Sequence, residues 1–185
     1  MSHTIVLGDH VEASAIAAWA GRHGTLAKDV ARGHSELAER RWRASDGSEI
    51  VHLQDHVGEV RYVVLGGPRE LALAVELRAA FDTEDPGTLL AALQPSADPR
   101  SWIRALSKLA VCRPATLEGR WLDAWERGLA HPARPVRRAA IRTCYGCTWP
   151  ELAAIVQRRL AEEAELRPQL QALLEHLRRL NGPTS

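Results

Sequence analysis

The sequence predicts an α+β protein: a small N-terminal α/β unit over residues 1–96, approximately βαββα with an antiparallel hairpin, then a short all-α unit over residues 97–185. Three observations predict it. Strand-like runs and the hairpin signal Asp46-Gly47 are confined to the first half. No strand candidate follows the proline-punctuated stretch "QPSADP" (Gln94 to Pro99). Beyond it a helical pattern recurs after 34 residues.

Taken in order, "TIVLG" (Thr4 to Gly8) reads as a strand, and "VEASAIAAWAGRHG" has helix-forming composition with a glycine stop. In "RRWRASDGSEIVHL" a two-residue Asp46-Gly47 loop sets Ser45 opposite Ser48, Trp42 opposite Val51, Arg41 opposite His52 and Arg40 opposite Leu53. Trp42, Val51 and Leu53 then share the core face. "VRYVVLGG" is dense in β-branched residues and suits the middle of a sheet. Gly66-Gly67-Pro68 ends it and opens the helix "PRELALAVELRAAF".

In the second half, "RSWIRALSKLA" and "RPVRRAAIRTC" align class by class. Trp102 falls on Val136, Ala105 on Ala139, Leu106 on Ala140, Leu109 on Thr143 and Ala110 on Cys144, which is one buried helical stripe. The cations Arg100, Arg104 and Lys108 fall on Arg134, Arg138 and Arg142. A second helix follows each: "TLEGRWLDAWERGLAH" carries Leu117, Trp121 and Trp125, and "PELAAIVQRRLAEE" carries Leu152, Val156 and Leu160. "LRPQLQALLEHLRRLNG", with Leu170, Leu173, Leu174 and Leu177, closes the series. Helix pairs at such a period predict an α-solenoid, in which one pair cannot bury its apolar face alone.

"HPARPVRRAAI", with Pro132, then Val136-Arg137 and Ala140, resembles the first helix of a HEAT repeat. The preceding unit departs from that pattern, with Trp102-Ile103 where Val-Arg would stand. The resemblance covers about 70 residues. It implies a binding scaffold, and some such scaffolds bind nucleic acid. It also implies binding on the surface made by the second helices, whereas the cation rows lie on the first.

Composition narrows the function classes. Among 24 basic residues, 22 are Arg and two are Lys, a skew that points to a GC-rich bacterial genome. No stretch approaches the roughly 20 apolar residues that span a bilayer, and three cysteines make no disulfide framework, so a cytoplasmic location is expected. Residues 1–97 carry 9 basic and 14 acidic groups, net −5; residues 98–185 carry 15 and 9, net +6.

"CYGC" has the look of a metal knuckle or a redox dithiol. The helical register instead places Cys144 on the buried stripe and Gly146 at a left-handed helix end, with Thr148-Trp-Pro-Glu151 as a capping box for the next helix. Zinc needs about four ligands, and Cys112, His131 and His176 are scattered. A thioredoxin-like dithiol needs a βαβ setting that this half lacks. His52, Asp55 and His56 in "HLQDH" make at most half a metal site and read as a solvated edge. "LGGP" lacks the lysine and further glycine of a phosphate loop, and "DTEDPG" lacks the distal Glu of a calcium loop. Neither a metal, a cofactor nor a nucleophile set is called for.

The expected function is therefore a non-catalytic interaction module, an adaptor or inhibitor of the immunity or antitoxin kind. Its partner is a protein with an acidic surface, and Arg100, Arg104, Lys108, Arg134, Arg138 and Arg142 form the candidate binding face. That face is also the polar side any amphipathic helix needs, and the acidic first half is a second candidate to cover it. A nucleic-acid binder using the same rows, with Trp121 or Trp125 stacking on bases if exposed, is the alternative. An enzyme with its site between the halves is the third.

Overall fold

The computed structural model describes residues 2–30, 37–114 and 117–182. The chain is mixed α+β, an antiparallel six-stranded sheet followed by a run of helices. It divides into units Met1–Asp85 and Pro86–Ser185. No helix among the described residues is long and apolar enough to cross a membrane.

The first unit runs β1 (Ser2–Leu7), α1 (Ala13–His23), β2 (Thr25–Val30), β3 (Leu37–Arg43), β4 (Glu49–Asp55), β5 (Val60–Gly66), α2 (Glu70–Ala80) and β6 (Thr83–Glu84). The sheet order is β2-β3-β4-β5-β1-β6, every pair antiparallel. The six strands outnumber the expected βαββα, and two of them, β2 and β6, match none of the strand segments read from the sequence. β2 is exposed along its whole length and shows no alternation to read. Its charges pair across to β3 instead, Lys28 Nζ to Glu39 at 2.8 Å and Arg40 Nε to Asp29 at 3.2 Å. Charges on an edge strand also discourage pairing with another chain. The two-residue β6 is too short to carry a pattern.

The hairpin register differs by one residue from the expected one. Trp42 lies opposite Ile50, Arg41 opposite Val51 and Arg40 opposite His52. The loop holds three residues, because Gly47 N donates to Ala44 O at 3.1 Å and Ala44 N to Ser48 O at 2.9 Å. Gly47, at φ +86°, takes the left-handed position that follows a type I turn in such loops. Asp46 Oδ1 accepts from Ser48 N at 2.8 Å and fixes the corner. A one-residue slip moves every side chain to the other face. Trp42, Ile50 and Leu65 therefore join Ile5, Val63, Ile16, Trp19, Leu73 and Leu77 in the core under α1 and α2, while Val51 and Leu53 lie on the opposite face.

The helical unit comprises α3 (Pro86–Ala92), α4 (Pro99–Cys112), α5 (Gly119–Leu129), α6 (Arg134–Cys144), α7 (Pro150–Glu162) and α8 (Arg167–Asn181). It begins before the "QPSADP" punctuation because Leu89 and Leu93 bury into the helical core. Thr116, where the expected second helix starts, lies outside the described residues. Among the described residues no strand follows Glu84. Asp98 caps α4 by accepting from Arg100 N at 2.9 Å and Ser101 N at 3.1 Å, with Pro99 in the first turn.

The expected stripe is buried: Trp102, Ala105, Leu106 and Leu109 on α4, and Val136, Ala139, Ala140, Thr143 and Cys144 on α6; Ala110 is half-buried. α4 packs on α6, α5 on α7, and α7 on α8, where Leu170, Leu173, Leu174 and Leu177 are all buried. Repeat-equivalent helices thus lie against each other. Trp121, Trp125 and Trp149 meet where α5 approaches α7, with ring centroids 5.5–6.4 Å apart.

Candidate functional site

The six expected cations take up three environments. Arg100, Arg134 and Arg138 are exposed, Arg104 and Arg142 are half-buried, and Lys108 is buried at 2% exposure. Lys108 sinks because α4 is flanked by α3, α5 and α6, so its buried arc is wider than one stripe and takes in Ser107 as well. The rows do adjoin at one point, since Arg142 Nη2 on α6 donates to Ser107 Oγ on α4 at 3.0 Å. Arg134 Nε is held by Glu165 at 2.8 Å across an exposed pair, of the kind that contributes about 0–1 kcal/mol. Trp121 and Trp125 are both buried. Neither ring face is open to a nucleic-acid base.

The CYGC segment is a helix corner. Cys144 ends α6, Cys147 N donates to Cys144 O at 2.9 Å, and both thiols are buried. Two details differ from expectation. Gly146 does not take a left-handed conformation, since the positive-φ glycines described are Gly47, Gly67 and Gly182. Its lack of a side chain instead makes room for the Arg113 guanidinium, which a Cβ there would meet at 2.7 Å. The capping box also does not form, because α7 starts one residue later than that box requires, with Trp149 at the N-cap and no side-chain cap bond.

Burial, and then its neighbour Cys147, push the Cys144 thiol well above the usual thiol range. Burial pushes Cys147 up to about 11, against the opposing effect of Arg113. Thiolates are the reactive form, so two units of upward shift leave about a hundredfold less of it at neutral pH. With an alkylating reagent on the native protein, half-buried Cys112 is expected to be modified first, and Cys144 and Cys147 only after denaturation. Mass spectrometry of timed samples checks this. Modification of Cys147 at the rate of Cys112 would mean the corner is an open dithiol.

A second cluster lies on the helix-facing side of the sheet, where sequence reasoning placed only a solvated edge. With the observed register, His52 follows Ile50 into the interior and is 4% exposed, directly opposite Arg40 on β3 and Val63 on β5. It borders a cavity of about 190 Å³ walled by Ala13, Asp29, Val30, Ala38, Glu39, Arg40, Gln54 and His56 as well. The Nε2 atoms of both His52 and His56 are buried and make no hydrogen bond. Burial, then the Arg40 and Arg61 guanidiniums, hold His52 down at about 4, so it is neutral at physiological pH. Asp55 points elsewhere, its Oδ1 accepting from Val57 N at 2.8 Å and Gly58 N at 3.0 Å in the β4–β5 turn. Among the described residues no three His, Cys, Asp or Glu side chains gather as a metal-binding group. The expected register already put Arg40 on the face of Trp42, where it lies, but the two-residue loop turned β4 over and so pointed His52 and Gln54 away from it. Counting three loop residues, as the Gly47 bulge requires, brings His52 and Gln54 to the face of Arg40, and Arg61 joins them through its pairing with Gln54, which no loop count supplies.

No family model matches the chain, and no curated protein or solved structure matches it significantly.

Proposed function

We propose that the chain is a non-catalytic protein-interaction module, a bacterial cytoplasmic adaptor or inhibitor built on a HEAT-like helical stack. It presents Arg100, Arg134 and Arg138 to an acidic surface of its partner. The observation that supports this reading is the side-by-side packing of α4 and α6, the first helices of two successive pairs, joined by the Arg142–Ser107 bond, with exposed cations on both. Clustered charge of one sign speeds encounter with a complementary surface and selects against like-charged partners. Burial of Trp121 and Trp125 favours a protein over a nucleic acid, because the two rings the sequence offered for base stacking are not open to a base.

Replacing Arg100, Arg134 and Arg138 together by Glu is expected to leave the fold intact, since all three are exposed. It should weaken capture of the partner at least about tenfold. The measurement is affinity capture from the native host with wild type and triple variant side by side. One protein recovered by the wild type and lost with the variant supports the proposal. The same proteins recovered by both, or recovery abolished by nuclease, rejects it.

A further inference from the structure

The cavity at the sheet end of α1 is the feature that the interaction reading leaves unexplained. Buried polar atoms in folded proteins nearly always have a hydrogen-bond partner. Here two imidazole nitrogens, His52 Nε2 and His56 Nε2, lack one within the same small region, and His52 is almost wholly buried beside a cavity of about 190 Å³. An apolar side chain at either position would remove the cost of burying an unsatisfied nitrogen. Two polar side chains kept there point to an occupant that bonds to them.

The charges around the cavity decide the sign of that occupant. Arg40 faces it from β3, and Arg61 stands close enough to depress His52 while donating to Val11 O at 2.6 Å. Ala13, the first residue of α1, brings the positive end of that helix to the wall. The nearby carboxylates are largely engaged: Asp29 by Arg40, Glu39 by Lys28 and Arg41, and Asp55 by its turn amides, while Glu12 at the N-cap of α1 is exposed. Asp29 and Glu39 in the wall are each held by a cation, Arg61 and the helix N-terminus add positive potential, and among the described residues no third ligand gathers with the two imidazoles, so a metal ion is disfavoured. The volume lies below the roughly 300 Å³ at which pockets for drug-sized ligands begin, so the occupant is small.

We propose that Arg40, His52, Gln54 and His56 form a binding site for a small anion carrying a carboxylate or phosphate group. The anion accepts from the Nε2–H groups of the two imidazoles and from the Arg40 guanidinium, which Asp29 holds through Nε. Binding and protonation of His52 are then linked, each favouring the other by the same factor.

The test follows the imidazole nitrogen signals of the full-length protein by NMR while sodium phosphate, or in a separate series sodium acetate, is added at constant ionic strength. Saturable shifts are expected at His52 and His56, well beyond those of the other histidines, with the pH midpoint of His52 rising by about one unit for a tenfold coupling. Saturation with phosphate alone assigns a phosphoryl ligand, and with acetate alone a carboxylate. Arg40→Gln, checked for folding by circular dichroism, should weaken binding by about tenfold. If that variant does not fold, His56→Gln with His52 as the reporter replaces it, with the same loss expected. The proposal is overturned if neither anion moves His52 and His56 more than the remaining histidines, if folded Arg40→Gln binds as tightly as wild type, or if Zn²⁺ alone saturates the two signals.

Discussion

Replacing Trp125 by alanine is expected to destabilise the helical unit by about 3–5 kcal/mol, the range for removing a fully buried aromatic side chain. Trp125 has no exposed surface. Its ring stacks on Trp121 at 6.1 Å and meets Trp149 edge-on at 5.5 Å, so one substitution opens a cavity at the junction of α5 and α7. It also strips a bond from the neighbouring helix, because Trp125 Nε1 donates to Thr143 Oγ1 at 3.1 Å while that hydroxyl donates to Ala140 O at 3.0 Å. Trp125→Phe keeps most of the aromatic packing and loses the bond, for about 1–2 kcal/mol. Denaturant unfolding followed through the helical circular dichroism signal measures both. A loss under about 1 kcal/mol for the alanine variant would mean that the tryptophan cluster is not what holds the repeats together.

The helices were legible and the sheet much less so, for a definite reason. A helical stripe repeats its evidence: Trp102, Ala105, Leu106 and Leu109 must all face one way, and Val136, Ala139, Ala140 and Thr143 repeat the statement 34 residues later. Period errors are therefore corrected along the helix. A strand has period two, and its facing hangs on the loop length alone. Asp46-Gly47 is equally at home in a two-residue loop and in the three-residue loop that formed, and the difference exchanged Val51 for Ile50 in the core.

The same slip hid the candidate ligand site. With the correct count, Arg40, His52 and Gln54 share the face of Trp42 and Ile50, and the anomaly of polar residues pointing inward is visible without coordinates. Lys108 escaped the reading for another cause. A pairwise repeat predicts one buried stripe per helix, whereas α4 also receives α3, which the proline-based boundary had assigned to the other unit.

Acid should expose the cost of keeping His52 neutral. Its folded-state value is pushed from 6.5 to about 4, so above pH 6.5 the imidazole is unprotonated in folded and unfolded chains alike and the native state is undiminished. As pH falls below 6.5 the unfolded chain takes up a proton that the folded chain refuses. The stability contribution is lost progressively until about pH 4, where the folded form protonates as well. A shift of this size is worth about 3 kcal/mol, most of it gone by about pH 4.5. The carboxylates held low act in a more acidic window: Glu39 by Lys28, Asp46 by Ser48, Glu49 by Arg43 and Asp98 by Ser101 lose their contributions as pH falls below the ordinary carboxylate range. His52→Gln removes the histidine and leaves those groups in place. Unfolding free energies of the sheet unit, measured from pH 7 to pH 4.5 in buffers free of phosphate and carboxylate, should fall more steeply for wild type than for the variant by about 2–3 kcal/mol. Parallel slopes would show that His52 is solvated in the native state. Adding phosphate should flatten the wild-type slope alone, because an anion beside the imidazolium supplies the counter-charge that Arg40 and Arg61 deny it.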